Sequence, residues 1–87
     1  MASGRLLHVE DDESFRLFVR QALEGAGFAV DAVANGLDAL NELRRQPAVH
    51  VLVILDLVLP VINGLEVLGL LRSERATRDL PVLITTG

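Results

Sequence analysis

The sequence predicts an α/β fold, a doubly wound parallel sheet with helices on both faces. Three observations carry this expectation. Short runs rich in Val, Leu and Ile alternate with segments of helical periodicity in the order β-α-β-α-β-α-β, the pattern of parallel strands joined by right-handed helical crossovers. The run His50–Leu55 is continuously apolar after its first residue, as befits a central strand covered on both sides. The 87 residues are 51% hydrophobic, which excludes a disordered tail and suits elements buried on both faces.

Arg5–Val9 is a mostly apolar run that stops at four consecutive acids, Glu10 to Glu13, and reads as a buried strand whose carboxyl end meets water. Phe15, Phe18, Val19, Ala22, Leu23 and Ala26 then recur at helical steps along one face. Asp12 is the expected N-cap, the acids around it suit the positive helix end, and Gly25 and Gly27 close the helix. Phe28–Val33 is the second strand and Asn35-Gly36 a turn. A second helix spans Leu37–Arg45, its end marked by Arg44-Arg45 and Pro47. His50–Leu55 is the third strand, Leu57–Gly64 a loop, Leu65–Glu74 the third helix and Pro81–Thr85 the fourth strand. Residues 1–87 make one small domain, without repeat, linker or low-complexity segment.

Composition excludes several kinds of chemistry. The net charge is −4 and all eight basic residues are Arg, with Arg44-Arg45 the only adjacent pair. Phosphate-backbone contacts need clustered positive charge, so direct nucleic-acid binding by this segment is not expected. The absence of Cys rules out disulfides and thiolate metal sites. The N-terminus lacks a signal-peptide pattern, and the most apolar stretch, Val49–Ile62, is too short and too interrupted by His50, Asp56 and Pro60 to span a bilayer. The expected location is the cytoplasm.

Open α/β sheets bind ligands beyond the carboxyl ends of their strands. The first strand there carries Glu10 and Asp11, the third Asp56 and the fourth Thr85-Thr86. If the first and third strands are neighbours, three carboxylates converge. Two such charges about 4 Å apart repel by roughly 4 kcal/mol at an effective dielectric near 20, so the group calls for a cation. An all-oxygen donor set selects a hard one, Mg²⁺ before Mn²⁺. A carboxylate beside it can act as a nucleophile toward phosphorus. Asp12 and Glu13 read instead as helix-cap residues. Asp56 interrupts the most apolar run in the chain, where a merely structural acid is costly. His8 reads as a strand His satisfied by local partners, and His50 as an exposed residue opening the third strand.

The segments Val9-Glu10-Asp11-Asp12, Asp56-Leu57-Val58-Leu59-Pro60-Val61-Ile62-Asn63-Gly64 and Pro81-Val82-Leu83-Ile84-Thr85-Thr86 together resemble the receiver domains of two-component response regulators. The resemblance covers essentially the whole chain from Arg5. It implies a flavodoxin-like receiver fold and a phosphoacceptor signalling domain rather than an enzyme. It also implies a sensor histidine kinase or phosphotransfer protein as partner. Asp56 would be the phosphoacceptor and Thr86 the switch hydroxyl. Asp11, Asp56 and the Val58 backbone carbonyl would ligate Mg²⁺, with Glu10 assisting through water. Asn63-Gly64 would cap the third helix.

Family members have five strand–helix units. This chain has room for four strands and three helices, so the fourth helix, fifth strand and fifth helix are expected to be absent. The Lys that normally ends the fifth strand has no counterpart in a sequence without Lys. In the family's strand order, 2-1-3-4-5, the fourth strand then becomes an apolar edge, and self-association through it is expected. Two rival functions remain. One is an interaction module that signals without phosphate. The other is an aspartyl-phosphate phosphatase, disfavoured because Val58 stands where those enzymes use a second Asp.

Overall fold

The computed structural model describes residues 4–86; Met1–Ser3 and Gly87, the extremes of the expected 1–87 domain, lie outside them. The element order is β1 (Arg5–Val9), α1 (Glu13–Gly25), β2 (Ala29–Val33), α2 (Gly36–Arg45), β3 (His50–Asp56), α3 (Gly64–Ser73) and β4 (Val82–Thr85). All strand pairs are parallel, in the sheet order β2-β1-β3-β4. The expected fold is therefore present, with boundaries displaced by one or two residues. Pro81 stays outside β4, having no N–H to donate to a ladder.

Local chemistry sets the helix ends. The Asp12 side chain accepts from the amides of Ser14 and Phe15, satisfying N–H groups that have no partner within α1. At the other end Gly27 adopts φ +100°, and the Phe28 and Gly27 amides donate to the carbonyls of Leu23 and Glu24, both at 3.0 Å. This is a Schellman closure, which favours a residue without Cβ at that position. Asn63 and Glu66 exchange side-chain and backbone hydrogen bonds in a reciprocal capping box. A Cβ on Gly64 would collide with the Asp56 carbonyl and approach Leu57 Cα to 2.7 Å, so Gly64 lets α3 start directly against the end of β3.

The two faces of the sheet are covered unequally. Leu7, Val9, Val53 and Leu55 point from β1 and β3 toward Leu40, Leu43, Val67 and Leu71 of α2 and α3, forming the main core. The opposite face, which carries Leu6, His8 and Ile54 by strand alternation, is covered among the described residues by α1. No residue of α1 is fully buried; Phe18 is 66% exposed and Phe15 45%, despite the apolar periodicity of the helix. The outer edge is β4, where Leu83 is half exposed.

Two expectations about histidines are corrected. His50 is not exposed: its side chain is fully buried, and Nε2 lies 2.8 Å from Asp31 Oδ2. Arg5 donates to both oxygens of the same carboxylate, each at 2.9 Å. The first residues of β1 and β3 are thus tied to β2 through one acid, and a polar side chain so tied tolerates burial. His8 is not satisfied by local partners. It is 1% exposed, and neither ring nitrogen has a hydrogen-bond partner among the described residues. Its ring instead meets Phe15 edge-on, with centroids 6.3 Å apart. The imidazole thus packs beneath α1 as an aromatic ring.

Two measurements follow from these contacts. Val61 is β-branched, holds φ +67° and is 96% exposed, a strained backbone with no packing to compensate. Val61→Gly is expected to raise stability against urea by about 1 kcal/mol; a loss would show that the Val side chain contributes contacts that outweigh the strain. The Arg5 fork holds the Asp31 carboxyl below its ordinary value of 3.8, against the opposing effect of burial, with His50 adding to the depression. A depressed folded-state value makes this contribution complete above that ordinary value and lost as pH falls through the folded one. Asp31→Asn is therefore expected to cost about 1 kcal/mol at pH 7 and progressively less in acid, as read from denaturation midpoints across that range.

Candidate functional site: an acidic cleft at the carboxyl end of the sheet

Parallel pairing of β1 with β3 sets Val9 opposite Leu55, so the residues that follow each of them emerge side by side. Carboxylate oxygens of Glu10, Asp11 and Asp56 lie within 4.8 Å of one another. Glu10 and Asp56 are buried, at 6% and 4% exposure, while Asp11 reaches solvent. The three acids expected to converge therefore do so. They line a cleft of about 550 Å³, with Phe15, Val58, Thr85 and Thr86 on its walls.

The acids are held by backbone hydrogen bonds. Glu10 Oε2 accepts from the Asp12 amide at 3.1 Å, and the Glu10 amide donates to the Val33 carbonyl at 3.1 Å. Asp56 Oδ1 accepts from the Val58 amide at 3.0 Å, which orients the carboxylate and turns the Val58 peptide along the cleft wall while its side chain faces solvent. The Leu57 amide donates to the Thr85 carbonyl, and the Gly64 amide donates to the Leu57 carbonyl at 2.9 Å. The loop after β3 is thereby fastened to both β4 and α3. Thr85 points its hydroxyl at the Leu55 carbonyl, 3.4 Å away, whereas Thr86 is exposed on the cleft.

Burial pushes the Glu10 carboxyl above its ordinary value; the Asp12 amide opposes the shift, and Asp56 and Asp11 add to it. Close carboxylates disfavour one another's charge, and a cation among them removes the penalty. The three acids offer oxygen donors only, and the exposed side of Asp11 leaves room for water. That donor set fits a hard divalent cation that retains part of its hydration shell. Nearby His8 is driven toward its neutral form by burial and then by Arg16, with Asp56 opposing.

A second group, Asp31, Glu42 and His50, also brings ligand atoms within 4.8 Å. There Arg5 already engages both Asp31 oxygens, so the cation is supplied by the chain. Sequence reasoning passed over Arg16, whose guanidinium donates to the Glu10 carbonyl at 2.8 Å. The available signal was a basic residue in the first turns of a helix, where the macrodipole disfavours positive charge.

A family profile described as "Response regulator receiver domain" matches residues 6–87. The chain is 38% identical over 79 residues to the phosphate regulon transcriptional regulatory protein PhoB of Rhizobium meliloti, covering 91% of this chain and 34% of that protein. It is 36% identical over 86 residues to the response regulator receiver protein CpdR of Brucella abortus, covering 95% of this chain and 66% of that protein. Among solved structures, the chemotaxis response regulator CheY4 of Vibrio cholerae superposes with a TM-score of 0.88 at 28% identity, over 95% of this chain and 68% of the other. The chain thus spans about a third of the length of a transcriptional regulator it matches and two thirds of a receiver protein. With the acidic cleft, the sheet order and the family match in agreement, this chain belongs to the response regulator receiver domains of two-component signalling.

Proposed function

We propose that residues 1–87, as part of a single receiver domain, accept a phosphoryl group on Asp56 from a histidine kinase or phosphotransfer protein. The observation that carries this reading is the convergence of Glu10, Asp11 and Asp56 within 4.8 Å at the carboxyl ends of adjacent parallel strands. Oδ1 of Asp56 is engaged by the Val58 amide, and the other oxygen is the nucleophile. It forms a bond to phosphorus as the bond from phosphorus to the donor's imidazole nitrogen breaks, and the electron pair of that bond returns to the nitrogen. Mg²⁺, or Mn²⁺ in its place, would be held by Asp11, Asp56 and the Val58 carbonyl, with Glu10 acting through water. Such an ion offsets the charge on the transferred oxygens.

The chain's own residues supply the rest of the chemistry. Hydrogen bonds along the loop keep the carboxylate oriented before the donor arrives, which favours in-line transfer. Thr86 is the switch hydroxyl, because it is exposed on the cleft while Thr85 is engaged with β3. The chemistry is stoichiometric acceptance, not turnover of a substrate, so the domain acts as a signalling module. A cytoplasmic location suits an acceptor for a kinase domain that uses ATP.

The β4 edge supports a proposal about assembly. Pro81 and Thr85 direct their carbonyls at β3, so by strand alternation the backbone groups of Val82 and Ile84 face away from the sheet. The strand carries no charge to discourage pairing. Two copies joining along β4 would satisfy those groups.

Incubation with acetyl phosphate and Mg²⁺, followed by intact mass, is expected to show slow, sub-stoichiometric phosphorylation of the 87-residue chain, which contains no Lys to meet the phosphoryl oxygens. Asp56→Asn should abolish it; an equal adduct in that variant would exclude Asp56 as the acceptor. Light scattering on a size-exclusion column at tens of micromolar is expected to show a dimer that Ile84→Lys converts to monomer. A folded monomer that is unaffected by the substitution would refute pairing through β4.

A further inference from the structure

Glu10 lies just beyond the end of β1, where its carbonyl has left the ladder, yet the residue is buried. A backbone carbonyl in that position needs a partner. Arg16 supplies it, reaching back from the second turn of α1 to donate to Glu10 O at 2.8 Å, with a longer contact to Asp11 O at 3.5 Å. The opposite end of the Glu10 peptide unit is held by Val33, and its carboxylate by the Asp12 amide. Arg16 is therefore the only side chain among the described residues that hydrogen-bonds the backbone on which both loop acids sit. Arg16 as a residue is half-buried, and its charge is unfavourable at an early helical position.

We infer that Arg16 is a positioning residue for the divalent cation, fixing Glu10 and Asp11 in ligating geometry through their main-chain carbonyls. This rests on the proposed cation-assisted phosphoryl acceptance and names a residue that serves it. Its hydrogen bonds run to main-chain carbonyls of the loop, and among the described residues none runs from it to a loop carboxylate. Groups that orient metal ligands without touching the metal commonly influence affinity by 10–100-fold.

Calorimetric titration with Mn²⁺ tests the inference, comparing the unsubstituted chain with Arg16→Met and Arg20→Met. Both substitutions remove one positive charge from α1, but Arg20 bonds Glu24 and does not touch the loop. Arg16→Met is expected to weaken Mn²⁺ binding about ten-fold, and Arg20→Met to leave it within about two-fold of the unsubstituted value. Equal losses in the two variants, or none in Arg16→Met, would overturn the positioning role. Amide hydrogen exchange in metal-free protein provides an independent reading. In Arg16→Met the Asp12 amide should exchange about ten-fold faster while amides of β3 are unchanged, and an unchanged Asp12 rate would also refute it. A variant that failed to fold would lose β3 protection as well, in which case Arg16→Lys is read by the same exchange ratio. Were the unsubstituted chain to bind no Mn²⁺, the cation reading of the cleft would fall, and hydrogen exchange alone would decide the role of Arg16.

Discussion

Parallel pairing of β1 with β3 is the constraint on which the rest depends. Because the two strands run in the same direction with Val9 opposite Leu55, their carboxyl ends finish together and bring Glu10, Asp11 and Asp56 into one cleft. An antiparallel arrangement would place Asp56 at the other end of the sheet from Glu10. Parallel neighbours require a crossover, and here the connection from β1 to β3 passes through α1, β2 and α2. The elements that seem remote from the cleft are thus what permits its two strands to lie side by side.

The cleft gathers like charge, and the surrounding hydrogen bonds are arranged to hold it in place. Each buried acid has one oxygen engaged by a nearby amide, Asp12 for Glu10 and Val58 for Asp56. Backbone amides stabilise a carboxylate without neutralising it, so these bonds fix the acids while leaving their charge in the cleft. At the amino end of the sheet the opposite solution appears. Asp31 is paired with Arg5 and His50, and these bonds tie three strands together, while the buried Nδ1 of His50 has no partner among the described residues. At the two ends of the sheet the acids thus differ in their partners: backbone amides in the cleft, and side-chain cations of the chain itself at Asp31.

The unequal layers have a consequence for stability and association. The face toward α2 and α3 contains a continuous apolar core, but the face toward α1 leaves Phe15 nearly half exposed and Phe18 about two thirds exposed. Full burial of such a side chain contributes roughly 1.5–3 kcal/mol, so partial exposure forgoes on the order of 1 kcal/mol each, which is appreciable for a small domain. The same face meets the cleft, since Phe15 forms part of its wall and packs on His8.

The sequence by itself determined the element order, the helix caps at Asp12 and Asn63, and the identity of the acids. These depend on local chemistry: periodic apolar spacing, side chains that satisfy nearby amides, and an acid placed after an apolar run. Only the tertiary structure decided what depended on neighbours distant in sequence. His50, expected at the surface, is buried because Asp31 on another strand accepts from it and Arg5 neutralises that acid. His8, expected to find a polar partner, packs against Phe15 because its strand face lies beneath α1. Arg16 gave little sign of a role in the linear chain, since its partner is a main-chain carbonyl, which no residue letter marks. Side-chain chemistry was legible wherever its partner lay within a few residues; where burial and pairing came from across the sheet, the folded arrangement alone set the outcome.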